Sequence, residues 1–340
     1  MGFLGRDTIT VAFRTAPFLA FLVLVFVGFQ FCLTILEQAS SRTTRKFDIQ
    51  GHRGGRGDAI ENTLPSFAWG LINGATTLEL DNGITKDGVA IVWHDQSITS
   101  EKCQDTTPAF EGDPDFPYVG KLVVNLTLAQ IRTLDCGSKR LKEFPLQLTY
   151  PRTKISTLKE VFAFARCADP ERKIQWNIES KINASHPAVT HGVDVFVAKQ
   201  HAEFISSSYP LSQIIYQSLD WRTLIAMKEL DSRIRTSALI SYFTAVTADN
   251  TTSPWQAGIR LVDMPGPSLD VKIANAAHSI KADILSPQVV TPLAEPFTTQ
   301  EMVDKAHELN MQVIPWTVNN LSLVEKLTGW MVDGIITDHP

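Results

Sequence analysis

The stretch TLELDNGITKDGVAIVWHD, residues 77–95, decides the fold. Thr77 to Asp81 reads as a strand and Val89 to Trp93 as a second extended run, with only a short segment containing Asp87-Gly88 between them. A parallel crossover needs about ten or more residues, so the second run is the return arm of an antiparallel hairpin. With Asp87-Gly88 as a two-residue loop, Lys86 faces Val89, and counting back in register sets Asp81 directly opposite His94.

Outward from this hairpin the chain alternates strands with helices, the pattern of parallel pairing and crossover connections. Strands are expected at Asp48–Gly51, Lys173–Ile178, Gln213–Tyr216, Thr236–Ile240, Asp283–Ser286, Gln312–Pro315 and Gly334–Thr337. Helical stretches are expected at Leu64–Asn73, Val193–Phe204, Trp221–Leu230, Val271–Ile280, Thr299–Leu309 and Leu321–Met331. With the return arm set aside, eight strands remain, the number in a (β/α)8 TIM-type barrel. Residues 95–172 then form an insertion after the second strand, with turn-rich sequence from Pro108 to Pro117 and helical spacing at Leu128–Leu134 and Thr157–Arg166. Thr157 suits an N-cap, with Glu160 in the capping-box position.

Active sites of such barrels sit at the C-terminal ends of the strands. Those ends carry a polar set: His52 and Arg53, Glu79 and Asp81, Glu179 and Lys181, and Trp316, with His94 on the hairpin. Glu79 and Asp81 are two apart and share a face of their strand. Two carboxylates forced side by side repel. A third at the neighbouring strand end makes a cation a better explanation than a solvent-facing strand end. Oxygen ligands suggest a hard ion, Mg²⁺ or Ca²⁺, over Zn²⁺. His52 and His94 beside such a cluster suit general acid–base work. Arg53 and Lys181 suit a phosphate. Trp316 reads either as substrate contact or as barrel core.

These residues lie in a co-linear series that resembles the glycerophosphodiester phosphodiesterase family. The series comprises Gly51-His-Arg-Gly-Gly, Glu61-Asn-Thr-Leu with Ser66-Phe67, Glu79-Leu-Asp, Thr85-Lys-Asp-Gly and His94-Asp95. It continues with Leu126-Thr-Leu, Leu134-Asp, Ile155-Ser-Thr-Leu, Glu179-Ser-Lys, Trp316-Thr-Val-Asn and Gly334-Ile-Ile-Thr-Asp. The resemblance runs from about residue 48 to the C-terminus. It implies a barrel hydrolase cleaving glycerophosphodiesters to glycerol 3-phosphate and an alcohol. It further implies His52 and His94 as acid and base, a divalent ion on Glu79, Asp81 and Glu179, phosphate contacts from Arg53 and Lys181, and Glu61 as a supporting residue. Asn82 and Ser180 depart from the apolar residues usual at those positions. A phospholipase of C or D type on the same scaffold is the nearest alternative reading, and a non-catalytic binding barrel a more distant one.

A net charge of −5 argues against a nucleic-acid partner, which usually meets a basic face. Residues 15–36 lack charge and are apolar nearly throughout, long enough to span a bilayer as a helix. The expected organisation is a flank at 1–14, a transmembrane anchor at 15–36, a polar linker at 37–46 and the barrel at 47–340. A secreted form follows if residues 1–40 are a cleaved signal. Sequons at Asn125, Asn183, Asn250 and Asn320 favour a glycoprotein with its catalytic domain lumenal or extracellular. Of the four cysteines, Cys32 lies in the apolar segment. Cys103, Cys136 and Cys167 allow one disulfide with a leftover thiol, or three unpaired thiols.

Overall fold

Nine strands assemble into one sheet in the computed structural model, which describes residues 46–246 and 252–340. They are β1 (Asp48–Gly51), β2 (Thr77–Ile84), β3 (Ala90–Val92), β4 (Gln175–Ser180), β5 (Ile214–Ser218), β6 (Arg235–Ile240), β7 (Ile284–Pro287), β8 (Gln312–Val313) and β9 (Gly334–Thr337). The order is β8-β7-β6-β5-β4-β2-β1-β9, with every neighbouring pair parallel and β3 alone antiparallel, on β2. The seam between β8 and β9 is bridged where Asp333 N–H donates to Val313 O (2.9 Å) and Ile336 N–H to Pro315 O (2.9 Å). Eight parallel strands thus form a nearly closed barrel, as the alternation predicts.

The helices are α1 (Leu64–Ile72), α2 (Leu128–Ile131), α3 (Leu158–Ala168), α4 (Val193–Ser206), α5 (Trp221–Leu230), α6 (Tyr242–Ala245), α7 (Leu269–Ser279), α8 (Gln300–Glu308) and α9 (Leu321–Gly329). Their buried faces, such as Phe67, Phe162, Phe196, Leu224 and Met302, pack on the outward side chains Leu78, Trp176, Tyr216 and Ala238 of the strands. Covering both faces of a parallel sheet is what makes its strands continuously buried; every residue of β2 is buried. Inside the barrel a smaller apolar group, Ile215, Ile284, Ile314 and Ile336, packs against Trp316. Thr157 and Glu160 form the expected capping box at the start of α3.

The hairpin is present, but its register differs by one residue from the expected one. Asn82 faces Val92, Ile84 faces Ala90, and Trp93 N–H donates to Asp81 O at 3.0 Å. Asp81 therefore lies opposite Trp93, and His94 falls one position beyond. The cause is a three-residue loop, Lys86-Asp87-Gly88, closed by Thr85 N–H on Val89 O at 3.0 Å. Gly88 takes a left-handed φ of 76°, the residue such loops need at their last position. Asp87 Oδ1 holds the loop by accepting from Thr85 Oγ1 (2.6 Å) and Leu128 N–H (3.0 Å).

The segment between β3 and β4 carries its own apolar cluster, built on Ile98, Tyr118, Leu126, Ile131 and Ile155 against Ile91 and Trp93 of the hairpin. A disulfide joins Cys103 to Cys136 across 33 residues, and Cys167 is a free, exposed thiol. Of the two cysteine alternatives, the structure takes the paired one.

The expected placement as a single-pass membrane protein with a lumenal or extracellular domain is corrected. Among the described residues no helix is long and apolar enough to cross a membrane, and the span read at 15–36 lies outside them. Of the sequons, Asn125 and Asn320 are exposed. Asn183 is buried, its Oδ1 accepting from the backbone N–H groups of Ser185 and His186. Asn320 Oδ1 caps α9 by accepting from Ser322 N–H at 2.9 Å. Asn250 lies outside the described residues.

The β1–α1 turn, which carries His52 and Arg53, depends on close backbone approach. Gly54 has a φ of 92°, and a Cβ on either Gly51 or Gly70 would stand 2.2 Å from the Gly54 carbonyl oxygen. Ser66 Oγ clamps the same turn, donating to Arg53 O (2.8 Å) and accepting from Gly55 N–H (2.9 Å). Gly70→Ala is expected to cost about 1–3 kcal/mol, the usual scale of overpacking, read as a lowered urea midpoint. Gly329→Ala, which meets nothing within 4 Å, is expected to leave the midpoint unchanged or slightly raised.

Candidate active site

Parallel pairing of β2 with β4 puts Asp81 beside Glu179 and Glu79 beside Asn177. Glu79, Asp81 and Glu179 are all buried and offer carboxylate oxygens that lie within 4.8 Å of one another. Each is held by a different set of donors. Glu79 accepts from Arg53 N–H (2.8 Å) and Gln217 Nε2 (2.7 Å). Asp81 Oδ2 accepts from Asn62 Nδ2 (2.8 Å) and lies 3.1 Å from Arg53 Nε. Glu179 accepts from Lys181 Nζ at 2.9 Å, and Lys181 also lies 3.7 Å from Asp81.

Burial, with the charge of Asp81 added, pushes Glu79 well above the usual carboxylate range. Burial also drives Glu179 up to about 7, against the pull of Lys181 and with the help of Asp81. Asp81 goes the other way: burial opposes its charge, but Arg53, His94, Lys181 and the Asn62 hydrogen bond together outweigh it and hold the group far down. Two carboxyls drawn toward their neutral forms mark a surplus of buried negative charge. A divalent cation would remove that surplus, and three clustered oxygen donors are the ligand type that Mg²⁺ and Ca²⁺ prefer. The residues fit such an ion.

The two histidines flank this cluster, each tied through Nδ1 to a carboxylate. His52 Nδ1 lies 2.6 Å from Asp338 Oδ1, and His94 Nδ1 lies 2.7 Å from Asp95 Oδ1. Both rings thereby keep Nε2 for the site. Burial, then Arg53, lowers His52 below the ordinary imidazole range. Burial, then Arg53 and Lys181, lowers His94 to about 4. Asp338 is held at about 2: burial opposes its charge, but the His52 bond and charge, Arg56 and the Asn319 hydrogen bond together outweigh it.

Glu61 joins these parts. Both its oxygens accept from Arg53 Nη1 at 3.0 Å, and it lies 3.1 Å from Arg56 Nε and 2.7 Å from Lys102 Nζ. Arg56 in turn stands 3.9 Å from Asp338, and Lys102 stands 2.6 Å from Asp95. Charges of alternating sign therefore run from Asp95 through Lys102, Glu61 and Arg56 to Asp338, with His94 and His52 bonded at the two ends. Burial works against the charge of Glu61, but Arg53 and Lys102 bring it down to about 2.

A cavity of about 350 Å³ opens beside the cluster, lined by His94, Glu179, Lys181, Ile182, Leu219 and Trp255 among others. Trp316 is partly exposed. Its Nε1 donates to Ser286 O at 2.8 Å, and its ring packs on the isoleucines inside the barrel. The other sequence-chosen residues, His52, Arg53, Glu61, Glu79, Asp81, His94, Glu179 and Lys181, are brought together. Sequence reasoning missed Asn62, Arg56, Asp95, Lys102, Gln217 and Asp338. Asn62, Asp95 and Asp338 stand inside the quoted motifs, which was a usable signal although they were given no role; Lys102 and Gln217 had none. The two departures from the family pattern face the helices instead. Asn82 Oδ1 accepts from Gln200 on α4 (3.0 Å), and Ser180 Oγ bonds Thr223 on α5 (3.3 Å).

Comparison with known proteins bears on this site. The family model described as the glycerophosphoryl diester phosphodiesterase family matches residues 52–340. A glycerophosphodiester phosphodiesterase of Bacillus subtilis is 26% identical over 292 residues, 85% of this chain and 82% of that protein. A crystal structure from Silicibacter pomeroyi superposes with a TM-score of 0.70 at 24% identity, covering 87% of this chain and 91% of that one. A phosphodiesterase of Oleispira antarctica, solved in complex with the product sn-glycerol-3-phosphate, gives a TM-score of 0.60 at 20% identity, covering 86% and 93%.

Glu61 generates a pH prediction. A carboxyl whose folded value is depressed adds stability above its unfolded value and loses it as pH falls through the folded one. For Glu61 that window runs from 4.5 down to about 2. Glu61→Gln is expected to cost about 3 kcal/mol near pH 7, where three cations lose their partner, and little near pH 2. The difference between wild type and variant, taken from denaturant titrations across pH, isolates Glu61 from Glu79 and Glu179. Their raised values act in the opposite direction.

Proposed function

The chain belongs to the glycerophosphoryl diester phosphodiesterase family, and from that premise we propose that it hydrolyses glycerophosphodiesters to glycerol 3-phosphate and an alcohol. One observation carries this reading: two carboxylate-tethered imidazoles flank a buried acidic triad that also holds an arginine and a lysine. The glycerol 3-phosphate bound to the Oleispira antarctica structure fits a barrel mouth of this kind.

A phosphodiester is anionic, so a nucleophile must be brought to it against charge. Arg53 and Lys181 lie at the acidic cluster, where they would hold the phosphoryl oxygens and offset charge that grows as the phosphorus–oxygen bond breaks. Glu79, Asp81 and Glu179 would hold the divalent cation, Mg²⁺ or Ca²⁺. When bound, that ion supplies Lewis-acid stabilisation of a phosphoryl oxygen. His52 and His94 divide the proton transfers. The neutral imidazole accepts, at Nε2, the proton of the attacking hydroxyl, either water or the substrate's own neighbouring group. The protonated one donates from Nε2 to the departing alkoxide. Asp338 and Asp95 keep Nδ1 protonated throughout, so each ring exchanges its proton only on the side facing the site. Glu61 acts behind Arg53, fixing the guanidinium.

His52→Ala and His94→Ala are each expected to lower kcat by about 10²–10⁴, measured on glycerophosphodiesters and on intact phospholipids in parallel. A loss under about tenfold removes that histidine from proton transfer. Turnover of phospholipid in preference to the deacylated diester overturns the substrate class.

Chelation is expected to abolish activity and Mg²⁺ or Ca²⁺ to restore it. The same ions should raise the Tm of wild type but not of Asp81→Asn. Full activity with metal content verified as nil defeats the cation.

A further inference from the structure

We propose that Lys102, supplied by the insertion, is a positioning residue for His94, and that the Cys103–Cys136 disulfide holds the turn that carries it. The inference rests on reading His94 as one of the two proton-transfer groups.

His94 stands where the hairpin has stopped guiding the chain. The last ladder bond is Trp93 N–H to Asp81 O, and no backbone hydrogen bond joins His94 or Asp95 to the described residues. The ring is half-open, with 30% of the side chain exposed. Its orientation therefore depends on Asp95 Oδ1, 2.7 Å from Nδ1. Asp95 is itself 24% exposed, and among the described residues its other oxygen meets one cation, Lys102 Nζ at 2.6 Å. A carboxylate at a loop position with one tethered oxygen can swing. The second tether, to a fixed cation, removes that freedom.

Lys102 is suited to be the fixed point. Its ammonium also lies 2.7 Å from Glu61 Oε1 and 5.4 Å from the centre of the Trp93 ring, and only 14% of its side chain is exposed. Glu61 is clamped by Arg53 and Arg56, so the tie ends on the rigid β1–α1 turn. From the other side, the turn Thr99–Cys103 closes with Cys103 N–H on Thr99 O at 3.0 Å. The disulfide to Cys136, and paired backbone bonds between Gln104 and Asp135 (2.9 and 3.0 Å), fasten that turn to the rest of the insertion. Misplacing a reacting group by about 1 Å can cost about a hundredfold in rate, which is the scale on which this tether would act.

The test uses the full chain with its cation present. Lys102→Met is expected to lower kcat about ten- to hundredfold while KM changes by less than about threefold, and Lys102→Arg to recover most of the loss. In a His94→Ala background, Lys102→Met should add less than about twofold, since the group it positions is gone. Cys103→Ser with Cys136→Ser should reproduce a kcat loss that likewise vanishes in the His94→Ala background; this pair decides the question if Lys102→Met fails to fold. Wild-type kcat in Lys102→Met, or losses that multiply with that of His94→Ala, overturn the proposal. An active His94→Ala instead overturns the acid–base reading beneath it, so the two failures are distinguishable.

Discussion

Uncompensated charge is the constraint on which this structure turns. Six carboxylates (Glu61, Glu79, Asp81, Glu179, Asp95, Asp338) share one mouth of the barrel with four cations (Arg53, Arg56, Lys102, Lys181). With both histidines neutral, the acids exceed the cations by the charge of one divalent ion. Burying an unpaired charge is costly enough that a group neutralises instead. Burial pushes Glu79 and Glu179 up toward their neutral forms, Glu179 in spite of Lys181 at 2.9 Å, while Asp81 and Glu61, which Arg53 reaches, are held down.

Rigidity follows from the same network. Glu61 collects three cations, and through Arg56 and Lys102 it connects the carboxylates that orient the two imidazoles. A column of amides runs inward from the triad: Gln217 donates to Glu79 (2.7 Å), Asn177 to Gln217 (3.0 Å) and to Gln50 (2.6 Å), and Gln50 to Asp48 (2.7 Å). Amides can accept on one atom and donate on the other, so the column passes hydrogen bonds through the barrel without adding charge. The site is thereby anchored to strands instead of loops on its inner side. On its outer side it depends on the glycine-packed β1–α1 turn and on the insertion.

The hairpin shows how a correct element can carry an incorrect detail. Period and turn residues identify β2 and β3, because alternation and Asp-Gly are local signals. The pairing depends on loop length, and Asp87 lengthens the loop by bonding Thr85 and Leu128. Leu128 is 41 residues away, so nothing in the hairpin's own sequence reports it. The site tolerates the shift because His94 is steered by Asp95 and not by a cross-strand partner.

By itself the sequence determined the barrel, its eight parallel strands, the disposition of the insertion and the residues at the strand ends. Those features rest on period, spacing and motif order, all readable along the chain. The tertiary structure alone decided the partners. Asp338 reaches His52 across 286 residues, Gln217 reaches Glu79 across 138, and Lys102 reaches Glu61 across 41. It also chose the pairing of Cys103 with Cys136 and packed the partly exposed Trp316 against the isoleucines inside the barrel. The physical reason is that closing a sheet brings distant strand ends together at a stagger set by the whole ladder. Which side chains then meet is a property of that closure, not of any segment's own composition.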